Sequence, residues 1–129
     1  MHFKTPVQNT KTIWRLDMSD RYILNGHDAV EEPDLIKWAQ WFQIANRTVR
    51  KEPVGNVDVY TMFLGLDYSF GGGKPLLFET MVFGGPLDQE CDRCSTWEAA
   101  EQMHEKMCDR VKLAANELYN ASLTGVALN

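Results

Sequence analysis

Asp67, Glu79 and His104 are the residues in this chain whose types and spacing could do chemistry together. The two carboxylates stand inside the stretch 56–83, NVDVYTMFLGLDYSFGGGKPLLFETMVF, at positions where strands of this composition otherwise carry apolar residues. Two carboxylates side by side raise one pKa, hold a cation or accept an arginine. A turn centred on Gly73 sets Asp67 opposite Glu79, and one centred on Gly72 sets it diagonal, so either register gives them a common face. His104 lies in the apolar seam of the last helical stretch. A histidine meeting two carboxylates is the material of general acid–base catalysis, and equally of a satisfied polar network in a core. A register slipped by one residue separates the carboxylates altogether.

A second constellation is Cys91-x2-Cys94-x9-His104-x3-Cys108, whose two halves both have ligand spacings. A helix starting near Thr96 argues against zinc, because His104 then lies about 12 Å along the axis at 1.5 Å per residue. Cys94 has too little chain to double back over that distance. Neither a metal nor a cofactor is expected. The cluster Gly71-Gly72-Gly73-Lys74 lies between two strands and lacks the spacing of a phosphate loop, so a hairpin connection explains it better. No Gly-x-Ser-x-Gly elbow or HExxH helix occurs. A ring-bearing ligand would find Trp38, Trp41, Tyr68 and Trp97 to stack on and Arg47 for a phosphate. The two tryptophans three apart suit a core at least as well.

The elements that must position these residues follow from punctuation and period. Arg21–Leu24 is a short strand, Asn25-Gly26 a tight turn, and His27 a solvated residue on the return. Pro33 opens a helix whose stripe, Leu35, Trp38, Phe42, Ala45 and Val49, recurs at three- and four-residue steps, which predicts a helix over 33–51. Arg47, Arg50 and Lys51 suit its C-terminal dipole, and Pro53 and Gly55 end it. Two strands rich in β-branched and aromatic residues then form the long hairpin of 56–83. Ser95-Thr96-Trp97-Glu98 reads as a capping box opening a helix over 96–119. Its narrow seam runs Trp97, Ala100, His104, Met107, Val111, Ala114, Leu118. That seam faces the sheet or a second copy of the chain, and Met103 and Leu113 would widen either interface. The expected fold is α+β: an antiparallel sheet centred on the long hairpin, with both helices on one face.

The chain has 129 residues, 44% of them hydrophobic and 24% charged, which suits one globular domain. Residues 1–17 read as an N-terminal extension with Ile13, Trp14 and Leu16 as its apolar anchors, 18–120 as the domain, and 121–129 as a flexible tail. A net charge of −5 argues against general nucleic-acid binding. No apolar run is long enough to cross a membrane, the first residues are too polar for a signal peptide, and three closely placed cysteines are not a secreted framework. The N-x-S/T matches at Asn46 and Asn120 are then coincidental, and the expected location is the cytoplasm.

From Met18 onward, YILNGHDAVEEPDLIKWAQWFQIANRTV, FLGLDYSFGGGKPLLFETMVFGGPLD and STWEAAEQMHEKM occur in that order. In combination these segments resemble a group of small proteins of uncharacterised function encoded mainly by tailed bacteriophages and prophages. The resemblance spans roughly residues 20–110 and leaves 1–17 outside it. It places Asp67, Glu79, Trp97 and His104 within the group's pattern, whereas Cys91 and Cys94 depart from it. It carries over no catalytic residue. It implies a phage accessory protein acting in the bacterial cytoplasm. The leading expectation is a non-enzymatic protein that binds a host or defence component. The alternatives are a binder sequestering a nucleotide or metabolite, and a small hydrolase or metal-dependent enzyme built on Asp67, Glu79 and His104.

Overall fold

The computed structural model describes residues 20–125, so the extension of residues 1–17 and the last four residues of the expected tail lie outside it. The fold is α+β. A two-stranded hairpin, β1 (Tyr22–Asn25) and β2 (Asp28–Glu31), precedes helix α1 (Leu35–Ile44). A four-stranded antiparallel meander follows: β3 (Thr48–Val54), β4 (Val57–Phe63), β5 (Phe78–Phe83) and β6 (Cys91–Cys94). Helix α2 (Trp97–Leu123) closes the fold by packing across all four strands. The expected long hairpin is present as β4 and β5, the two central strands.

Helix α1 is shorter than its sequence period suggests. The Asp34 carboxylate caps it by accepting from the Ile36 and Lys37 amides, and Ala45 leaves it in extended conformation. The Asn46 side chain then accepts from the Thr48 amide, a local turn that competes with helix. From Thr48 the chain is strand, so the helix expected to reach residue 51 gives way to β3. Pro53 does not end an element; it sits within β3. Gly55, at φ +63°, and Asn56 form the two-residue turn into β4, closed by the Val54–Val57 pair. The pair beyond such a closing pair turns its backbone groups outward, so the Pro53 nitrogen faces an edge with no partner strand among the described residues, where no ladder hydrogen bond is lost.

Alternation along β4 and β5 sorts two faces. Val57, Val59, Thr61 and Phe63 with Phe78, Thr80 and Val82 are buried beneath α2. On α2 the buried residues are Ala100, Met103, His104, Met107, Cys108 and Val111. The expected seam therefore holds as far as Val111. Beyond it Leu118 is exposed, as are Leu113, Tyr119 and Leu123. Thr96, not Ser95, is the N-cap, accepting from the Ala99 amide. The helix also runs on through Leu123, into what reads in sequence as tail.

No residue of α1 is fully buried, and Leu35, Ile36 and Ile44 are exposed. The helix is held by a few aromatic contacts. The Trp38 indole N–H donates to the carbonyls of Tyr22 and Gly65, its ring stacks on Phe42, and Trp41 meets Phe63 edge-on. Gly65 makes this contact fit. Its φ is +77°, and a Cβ there would lie 2.8 Å from the Phe42 ring. Gly65→Ala is expected to lower stability by about 2–3 kcal/mol, from backbone strain plus overlap. Gly26→Ala, at φ +65° with nothing near its Cβ, carries the strain alone and should cost about 1 kcal/mol. Urea titration of the two variants checks the difference.

Candidate functional site

The carboxylate pair does not form. In the ladder Met62, not Asp67, stands opposite Glu79. Leu64 donates to Leu77 and then Tyr68 to Leu76, so extra residues are taken up on the first arm around Gly65. This displacement carries Asp67 out of the ladder and into the 64–77 connection. There its Oδ1 accepts from the amides of Ser69 and Leu76 at 2.7 and 3.0 Å, folding the glycine-rich loop back on itself. Glu79 lies on the opposite sheet face from His104, where one carboxylate oxygen takes both Nε and Nη2 of Arg93 at 2.9 Å. Neither carboxylate has the open, unpaired geometry of a general base.

His104 has other partners, Thr61 on β4 and Glu52 on β3, with Thr80 on β5 behind Thr61. Thr61 on β4, Thr80 on β5 and His104 on α2 are all fully buried. They form a polar layer between two apolar clusters, Val57, Val59, Val82, Met107, Cys108 and Val111 on one side and Phe63, Leu77, Phe78 and Ala100 on the other. The Thr61 hydroxyl meets His104 Nδ1 at 2.7 Å and the Thr80 hydroxyl at 2.5 Å. Nε2 of His104 lies 3.1 Å from Glu52 Oε1, at the β3 edge. Cys108, one turn further along α2, is buried, and ligand atoms of Glu52, His104 and Cys108 all lie within 4.8 Å of one another.

Burial, followed by the negative charges of Glu52 and Glu105, pushes the Cys108 thiol up to about 11. The hydrogen bond from His104 holds the Glu52 carboxyl below its usual range, aided by Arg50. Arg50 bridges Glu52 and Glu105 at 3.1 and 3.0 Å. In this form the thiol is a weak nucleophile and the cluster is a closed hydrogen-bonded set. Of the cysteine–histidine constellation, His104 and Cys108 come together. Cys91 and Cys94 lie on β6, in no potential ligand group among the described residues.

The aromatic and basic candidates are likewise dispersed. Trp38 and Trp41 anchor α1. Arg47 donates to the Phe63 carbonyl at 2.8 Å and covers the Phe42 ring. Tyr68 lies under Arg93, its ring 4.8 Å from the guanidinium carbon. His27 is exposed in the turn, as expected, and in addition stacks on Trp97 with ring centres 3.8 Å apart. These two line a cleft of about 470 Å³ with Asp28, Phe78 and Glu98, and the Trp97 indole N–H finds no acceptor among the described residues.

The outer sheet face holds none of the candidate residues except Glu79, although Asp58, Tyr60 and Met62 already read in sequence as a face that starts polar and becomes apolar along the strand. A solvated antiparallel face is ordinarily polar. Here Tyr60, Met62, Met81 and Phe83 line a shallow groove of about 190 Å³ beside Glu79, and Phe83 is 47% exposed. The Glu79–Arg93 pair links the groove to Tyr68, and Tyr68 to Phe70. Phe70 is 78% exposed on a left-handed backbone of φ +52°. The signal was available as the second alternation of each strand: Tyr60 and Met62, Met81 and Phe83. Comparison with protein families, characterised proteins and solved structures yields no match. No described helix is long and apolar enough to cross a membrane.

Proposed function

We propose that the protein works by binding another protein through the outer face of its four-stranded sheet, as a phage accessory factor engaging a host or defence component in the bacterial cytoplasm. The observation that carries this is the run of Tyr60, Met62, Met81 and Phe83 on a face that no described element covers, continued by Arg93, Tyr68 and the exposed Phe70. Aromatic residues, arginine and methionine are the side chains that concentrate binding energy, and methionine adapts to irregular partner surfaces. Phe70 is presented by a strained backbone, which fits recognition better than packing. The phage resemblance supports a cytoplasmic partner, and the net charge of −5 gives no support to nucleic acid. The absence of an open catalytic arrangement around Asp67 and Glu79 favours binding over hydrolysis.

A photo-crosslinking residue placed at Met81 or at Phe70, in protein expressed in a bacterial host, is expected to capture one discrete protein. The same residue at Gln102 or Asp109, exposed on α2, should not capture it. Equal capture from all four positions would sink the reading, and capture of a second copy alone would replace it with self-association. The cleft beside Trp97 and His27 keeps small-ligand sequestration as the second reading. A small molecule retained in native mass spectra, and lost on Trp97→Ala, would move the function there.

A further inference from the structure

We propose that Glu52, His104 and Cys108 form a transition-metal site, with zinc the ion its donors suit best. This rests on a different part of the molecule from the binding face and stands or falls separately. A carboxylate oxygen, an imidazole nitrogen and a thiolate are all zinc ligands, and three protein donors plus one open position is a recurring zinc arrangement. Tetrahedral bonds of about 2.0–2.3 Å put ligand atoms roughly 3.3–3.8 Å apart. The three donor atoms already lie within 4.8 Å, and His104 Nε2 and Glu52 Oε1 are 3.1 Å apart. Closing the remainder takes only side-chain rotation, and Glu52 is free to supply it because its side chain is 38% exposed. The fourth position then opens beside Glu52, toward solvent.

The surroundings are built to hold the ring. A metal on Nε2 requires the proton on Nδ1, which then donates to Thr61, whose hydroxyl turns to donate to Thr80. Without metal, a ring with its proton on Nε2 donates to Glu52 and accepts at Nδ1 from Thr61. Hydroxyls donate and accept, so the two threonines support either tautomer without moving. A partner on the non-ligating nitrogen is the usual device for orienting a metal-bound histidine. Cys108 exchanges its thiol proton for the ion and releases that proton to solvent. Arg50 competes for Glu52, but it also pairs with Glu105 and can keep that partner.

Full-length protein stripped with a chelator and titrated with Co²⁺ tests the proposal. The expected result is saturation at one ion per chain with a thiolate-to-cobalt charge-transfer band, displaced by Zn²⁺. The band should survive the Cys91→Ser/Cys94→Ser double substitution and disappear in Cys108→Ser. Thr61→Val, which keeps the shape but removes the Nδ1 partner, should weaken Zn²⁺ affinity about 10–100-fold. Zn²⁺ at a hundredfold excess over its Kd should raise Tm on the order of 10 °C. Glu52→Gln, at the half-exposed edge, should keep the native circular dichroism and lose that rise. No saturable binding by the parent protein, or a band that depends on Cys91 and Cys94, overturns the site.

Discussion

Phe63→Ala is expected to remove about 3–5 kcal/mol of stability. That is a large share of the roughly 5–15 kcal/mol available to a domain of this size. Phe63 is fully buried at the end of β4, where three parts of the fold meet. Its ring packs against Phe78 at 5.2 Å and takes Trp41 edge-on at 5.8 Å. Its amide donates to the Arg47 carbonyl, and its own carbonyl accepts from the Arg47 guanidinium. Truncation therefore opens a cavity in the cluster and releases the aromatic grip on α1. Trp41→Ala should be partly redundant with it: a double-mutant cycle in urea should return a coupling of about 0.5–1.5 kcal/mol. Zero coupling would mean that α1 is held by the Trp38 hydrogen bonds alone.

Asp67→Ala should cost about 3 kcal/mol, because a buried carboxylate that accepts from two backbone amides leaves both without their acceptor. Glu79→Gln, by contrast, should cost no more than about 1 kcal/mol, since Arg93 is about one-third exposed and water replaces the lost partner. Equilibrium unfolding of both variants at one pH gives the ranking. The reverse order would return the weight to the strand carboxylate and away from the loop.

The two carboxylates show where sequence reading reaches and where it stops. That both are unusual was legible from composition, and their separate roles were not. Pairing arithmetic assumes an uninterrupted ladder, whereas Gly65 lets the chain step out of it after Phe63. The α+β class, the central hairpin and most of the α2 seam follow from period and capping, which are local. β3 was hidden for a related reason: Val49 extends the helical spacing of Leu35, Trp38 and Phe42 by coincidence. Asn46 and the β-branched pair Thr48-Val49 were the signals against it. Losing β3 also hid Glu52, so the only neighbours weighed for the His104-x3-Cys108 spacing were Cys91 and Cys94, which the structure places elsewhere, on β6.

The edges of the sheet have a consequence for how this protein meets others. At one margin Pro53 turns a nitrogen without hydrogen outward, among Arg50, Lys51 and Glu52. At the other, β6 has only four residues, and Asp92 and Arg93 lie at its centre. An incoming strand finds a missing donor on one side and a short charged stub on the other, both of which discourage strand addition and edge-to-edge aggregation. The molecule can thus carry an apolar sheet surface at high concentration without polymerising through its margins. On the proposed binding role, recognition is left to side chains meeting side chains, where selectivity is finer than a backbone ladder allows.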